Sequence, residues 1–215
     1  MRTCALVLAL AAFVLAGCGG SSKTTTGSGR VVTATRSVSG FTRIDLIGAA
    51  TVDVAVGKPA GLTITGDDNI LPIIRTRVVD GVLRISSRSY TSRHELRLRI
   101  GTPSLDRVSL TGAGTLTASG ISSNAFSLDM SGAATIVLGG KTGTLDASLS
   151  GAGTEELGNL VARSAHVSLS GTGSLHVHAT GSLDASVSGV GSIVYSGSPA
   201  HVVTHVSGVG TIAAG

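Results

Sequence analysis

From Val108 to the end of the chain, apolar and polar residues alternate in short runs, and the runs recur in phase. Each leads into one five-residue phrase: Thr111-Gly112-Ala113-Gly114-Thr115, Ser131-Gly132-Ala133-Ala134-Thr135, Ser150-Gly151-Ala152-Gly153-Thr154, Ser170-Gly171-Thr172-Gly173-Ser174, Ser188-Gly189-Val190-Gly191-Ser192 and Ser207-Gly208-Val209-Gly210-Thr211. The leading glycines are 20, 19, 20, 18 and 19 residues apart. Two residues before them stand Leu110, Met130, Leu149, Leu169, Val187 and Val206; four before stand Val108, Leu128, Ala147, Val167, Ala185 and Thr204. A further step back gives Phe126, Leu145, Ala165, Leu183 and Val202, with Asp106 breaking the column in the first copy. The positions between are mostly Ser, Asp or His. Alternation with period two predicts strands with one face buried and the other in water.

Four residues past the leading glycine the apolar column resumes with Leu116, Ile136, Leu175, Ile193 and Ile212, and Glu155 is the misfit. A second glycine corner follows at Gly120, Gly140 and Gly197. A strand-and-corner unit of fixed period, repeated six times, is the pattern of a solenoid. The expected fold is all-β: a parallel β-helix with coils of about 19 residues, like residues stacking into ladders. A sandwich of eight-residue strands would also alternate, but it does not require the same corner chemistry in every period.

Residues 31–107 are rich in strand patterns but less regular, and are expected to form the first coils with an N-terminal cap, as solenoids need. Phe41–Leu46 leads into Gly48-Ala49-Ala50-Thr51-Val52, an extra copy of the phrase. Asp80-Gly81 is a hairpin signal between Ile73–Val79 and Val82–Ile85. Asp67–Pro72 is the one short helix the pattern allows.

The first 17 residues read as an export signal: Arg2, then the apolar run Ala5–Val14, too short to span a bilayer. Leu15-Ala16-Gly17-Cys18 resembles a bacterial lipobox, which implies cleavage between Gly17 and Cys18 and acylation of Cys18. Two or more acyl chains hold a protein stably on a membrane. Cys4 leaves with the signal and Cys18 is blocked by lipid, so no disulfide is expected. Residues 18–30, rich in Gly, Ser and Thr, read as a flexible tether, and 31–215 as a single domain.

Ser39-Gly40-Phe41, Ile44-Asp45-Leu46, Gly66–Leu71, Asp80–Ile85, Thr102–Leu105 and Leu110–Gly114, in this order, resemble a bacterial family, the auto-transporter adhesin head or GIN domain. The resemblance covers residues 35–215. It implies an exported protein folded as a right-handed β-helix, and it brings no catalytic residues.

Candidate chemistry is sparse. Gly140-Lys141-Thr142 looks like the end of a phosphate loop, but Thr135 stands where the loop needs a glycine, and Gly140 is the repeat's own corner. His176 and His178 share a strand face, but a metal site needs at least one more ligand, and the equivalent columns hold mostly Thr, Val, Glu and Leu. β-Helical enzymes acting on acidic polysaccharides gather several carboxylates on one face. Here Asp129, Asp146, Glu155, Glu156 and Asp184 are spread over columns, and only Asp146 and Asp184 share one, with His166 between. A polysaccharide-active enzyme is therefore the alternative to a non-catalytic module, and neither a metal nor a cofactor is expected. With three Phe, two Tyr and no Trp, the chain lacks stacking platforms for bases, so no nucleic-acid partner is expected.

Charge is uneven. Residues 108–215 hold two basic and five acidic groups, whereas eight arginines lie between 75 and 107. Arg75, Arg77, Arg84, Arg97 and Arg99 alternate with apolar residues and are expected on solvent faces. They serve either as charged guards against edge pairing or as a surface for anionic headgroups or envelope polymers. The expected protein is a membrane-anchored lipoprotein of the envelope, outside the cytoplasm, acting as an adhesin-like binding or structural module. Its expected partners are the membrane, an envelope polymer or protein, and a second copy meeting the C-terminal end.

Overall fold

The computed structural model describes residues 24–215. The predicted signal segment, Gly17 and Cys18 lie outside the described residues. The strands are β1 (Thr25–Thr26), β2 (Val31–Arg36), β3 (Arg43–Val56), β4 (Gly61–Asp67), β5 (Ile74–Val79), β6 (Val82–Ser87), β7 (Tyr90–Thr91), β8 (Arg97–Thr102), β9 (Arg107–Leu149), β10 (Ala152–Leu169), β11 (Thr172–Val187), β12 (Val190–Ser196), β13 (His201–Val206) and β14 (Val209–Ala214). One 3₁₀ turn, Leu71–Ile73, overlaps the end of the segment read as a short helix, Asp67–Pro72.

The regular half is a stack of parallel passes. β3 pairs with β9 from Arg43↔Arg107 to Ala55↔Ser119, straight through the Gly48/Gly112 corner. β10 lies between β9 and β11: Ala152 is opposite Ala133 on one side and Thr172 on the other. β11 then carries β12 and β13, and β12 carries β14. The unequal spacing of the glycines is absorbed where the register slips, between Glu156 and Asn159 against β9, and between Leu157 and Val161 and again between Ala162 and Ser164 against β11. Gly158 and Asn159 are exposed there. The extra residues are accommodated in bulges rather than by sliding the whole ladder, which by an odd step would turn the core outward.

The sheet is mixed, not uniformly parallel. At the N-terminal end β2 pairs antiparallel with β4, β4 with β8, and β5 with β6. Asp80 and Gly81 both adopt positive φ, 50° and 73°, and return β5 onto β6 in two residues. So tight a return can only make an antiparallel neighbour, whereas a parallel one needs a full circuit of chain.

The apolar columns face one continuous core, from Phe41 at the cap to Ile193. The column Val108, Leu128, Ala147, Val167, Ala185 is buried throughout, as is Leu110, Met130, Leu149, Leu169, Val187. The last copy departs from this pattern. Val202 and Val206 are 41% and 45% exposed, because among the described residues no pass lies beyond β13.

The corner glycines explain the repeated phrase. Gly112 has φ 143°, and a Cβ there would strike the Gly48 carbonyl oxygen; at Gly132 it would strike that of Gly112, and at Gly151 that of Gly132. Each corner rests on the one before, so a side chain has no room there.

Candidate functional site

The solvent side of the sheet formed by Arg43–Ile47 and its parallel neighbours carries rows of polar residues. Arg43 is in register with Arg107, and Asp45 with Ser109. Further along the stack, Asp146, His166 and Asp184 form one row and Ser148, Ser168 and Ser186 the next. Ser168 Oγ donates to Ser148 Oγ at 3.2 Å, and His166 Nδ1 lies 3.8 Å from Asp184 Oδ2. Arg107 Nη2 pairs with Asp129 Oδ2 at 2.7 Å. This face therefore begins with arginines at the cap and passes to aspartates further along.

Arg75, Arg77 and Arg84 converge at the cap end of the face. They line a groove of about 630 Å³ together with Arg36, Asp45, Ile47, Thr76 and Ser86. The β5–β6 hairpin sets Arg77 directly opposite Arg84 and Arg75 opposite Ser86. β3 adds Asp45 beside Arg84 and Ile47 beside Ser86. Arg84 Nε is 3.9 Å from Asp45 Oδ2.

Arg97 and Arg99 do not join them. They lie on β8, paired with Thr51 and Asp53, on the far side of the Gly48 corner. Arg97 Nη2 meets Glu95 Oε2 at 3.0 Å, and Arg99 lines a separate groove of about 460 Å³ with Asp53 and Thr63. The five arginines alternate alike in the sequence. Only the strand register shows that three share a face and two do not.

A wider groove, about 770 Å³, separates the Gly48–Ala50 and Gly112–Gly114 corners from the 87–96 loop, with Arg88, Tyr90 and His94 in its wall. Tyr90 Oη donates to Ala49 O at 2.8 Å, and burial pushes its phenol pKa up. His94 Nδ1 is 2.9 Å from Oδ1 of buried Asp67, and Ser92 Oγ donates to Oδ2 at 2.7 Å. The Ser92 hydroxyl, chiefly, and then His94 hold the Asp67 carboxyl below its usual range against the opposing effect of burial.

This cluster anchors the incoming chain. Ser28 Oγ donates to Asp68 Oδ1 at 2.5 Å, Arg30 Nε meets Asp68 Oδ2 at 2.9 Å, and Asn69 Nδ2 donates to Thr26 O at 2.7 Å. β1 pairs with β7. Thr25–Arg30, within the segment read as tether, are thus laced to the body. The Asp67-Asp68-Asn69 run was the visible signal, read as the start of a short helix.

Glu155 is fully buried, and neither carboxyl oxygen has a hydrogen-bond partner. Burial, and secondly the charge of Asp129, push its pKa up to about 8. His178 Nδ1 and Ser196 Oγ of the next pass share a hydrogen bond at 3.0 Å. Among the described residues no three His, Cys, Asp or Glu side chains gather as a metal-binding group.

The fold is similar to that of solved bacterial proteins. A crystal structure described as a putative adhesin from Bacteroides fragilis is 29% identical, covers 88% of this chain and 99% of its own, and superposes with a TM-score of 0.69. One described as a putative lipid binding protein from Parabacteroides distasonis is 20% identical over 90% of this chain and 100% of its own, with a TM-score of 0.50. A putative adhesin from Parabacteroides merdae is 19% identical over 89% and 99%, also at 0.50. These last two show a shared fold alone. No curated protein matches the chain. Residues 40–199 match the family described as "Putative auto-transporter adhesin, head GIN domain", and with three quarters of its length inside that match the chain belongs to this family.

Proposed function

We propose that the protein is a non-catalytic, adhesin-like contact module of the bacterial envelope, held outside the cytoplasm by lipid on Cys18 and wound as a right-handed parallel β-helix. The observation that carries this reading is the polar face of stacked rows, from Arg43 and Arg107 through Ser148, Ser168 and Ser186 to Asp184. Side chains spaced at the regular strand interval on a rigid sheet suit many weak contacts with an extended partner. The adhesin description of the B. fragilis neighbour agrees with this. The Leu15–Cys18 run supports the anchor.

Two measurements test it. Wild-type protein from membranes should carry acyl mass on Cys18, and Cys18→Ala should accumulate as uncleaved precursor. A soluble chain of residues 24–215 should sediment with isolated envelopes. Normal processing of Cys18→Ala would remove the anchor from this reading, and a soluble chain that stays in the supernatant would remove the contact role.

A further inference from the structure

Four guanidinium groups line the groove at the cap end of the polar face, and one carboxylate lines it with them. Arg77 and Arg84 are direct cross-strand partners. Like charges set opposite one another destabilise an antiparallel pair, and an acid at either position would have stabilised it. Arg36 gives its Nη atoms to neutral acceptors: Ile74 O at 2.6 Å, Leu71 O at 2.8 Å and Thr76 Oγ1 at 2.9 Å. Its side chain is fixed while its charge stays unopposed. Burial lowers its pKa, the mark of a cation drawn partly out of water. The closest acid contact in the groove is the 3.9 Å approach of Asp45 to Arg84. A hairpin built this way holds excess positive charge that only an incoming anion offsets.

The groove is not purely polar. Ile47, 49% exposed, lies in the same row as Ser86 and Arg75. A ligand seated here meets guanidinium forks on one side and an aliphatic side chain on the other. Guanidinium groups bind phosphate oxygens in bidentate fashion, and the isoleucine suits the carbon skeleton of an ester.

The geometry points to a binding site for a phosphate ester, with Arg75, Arg77 and Arg84 on the phosphate, Arg36 behind them and Ile47 against the carbon. Such a group is carried both by phospholipid headgroups and by soluble phosphate polymers. The assignment rests on the contact-module reading and gives that module its ligand chemistry.

The processed, acylated chain beginning at Cys18, reconstituted in nanodiscs, tests it by amide hydrogen exchange across residues 74–86. Three conditions are compared: phosphatidylcholine discs, the same discs with tripolyphosphate added, and discs containing phosphatidylglycerol. Protection in either of the last two conditions supports the site. Protection by phosphatidylglycerol alone names the headgroup as the source, and protection by tripolyphosphate names the soluble anion.

Arg77→Gln with Arg84→Gln should weaken tripolyphosphate binding about tenfold or more, and added salt should weaken the wild type. Arg97→Gln with Arg99→Gln should leave it unchanged. Exchange outside residues 74–86 reports whether each variant is folded. Equal weakening by both pairs, or no protection in any condition, overturns the site. The contact-module reading is judged separately, by whether the soluble chain sediments with isolated envelopes.

Discussion

Glu155 and Leu175 stand opposite one another on successive passes, and both are sealed completely from solvent. One is the apolar residue that the column repeats. The other is a carboxyl with no partner for either oxygen. An unpaired buried polar group costs free energy even when protonated, and far more when ionised.

Stability should therefore depend on pH through this residue. An unfolded chain loses this proton near 4.5, whereas the folded one holds it to about 8. Between those values the folded state binds more protons than the unfolded, so stability falls as pH rises, by on the order of 1 kcal/mol per unit, and levels off above 8. Glu155→Leu should raise the melting temperature at neutral pH and remove this slope. Denaturant unfolding across the pH range checks both.

Leu149 is buried in its column while Ser148 beside it is exposed. Leu149→Asp should destabilise by about 4 kcal/mol or more, since it places an unpaired charge in the core. Ser148→Asp should stay within about 0.5 kcal/mol of wild type. Equal unfolding midpoints for the two variants would contradict the assigned faces.

Two glycines seven residues apart should respond differently to alanine. At Gly151 a Cβ meets the Gly132 carbonyl, and at Gly158, in the bulge, it meets nothing within 4 Å. Gly151→Ala should cost about 2 kcal/mol by forcing two passes apart. Gly158→Ala should be nearly silent. Thermal melts of the pair separate corner stacking from a general preference for glycine.

The outer edge of β13 and the exposed Val202, Val206 and Val209 form an apolar border at the last described pass. Unpaired edges recruit further strands. Self-association through this border is expected in sedimentation velocity at high protein concentration, and Val206→Lys with Val209→Lys should abolish it. A wild type that stays monomeric throughout would show that this border makes no contact.

The repeating half was legible because each pass obeys one rule. Once Leu149, Leu169 and Val187 are aligned, the faces, the columns and the stacking order follow. The cap was not, because its pairing is set by returns of different length. The Asp80-Gly81 turn was readable, yet the path that brings β2 and β8 onto β4 has no periodic signal. That path decides which arginines share a groove, so Arg75, Arg77 and Arg84 could be listed from sequence but not separated from Arg97 and Arg99. Glu155 broke the apolar pattern and was readable only as a misfit. Its burial follows from Leu157, Leu175 and their neighbours holding the strand in register around it.

The lacing of Thr25–Arg30 onto Asp67–Asn69 and β7 has a mechanical consequence. If Cys18 is fixed to a membrane and the polar face grips a partner, tension enters the body at Thr25. The first bonds to bear it are the short β1–β7 pair, the Ser28 and Arg30 contacts to Asp68, and the Asn69 bond to Thr26. They number far fewer than those between passes and yield earlier. The segment then acts as a fuse, paying out several residues of slack while the stack behind it stays intact.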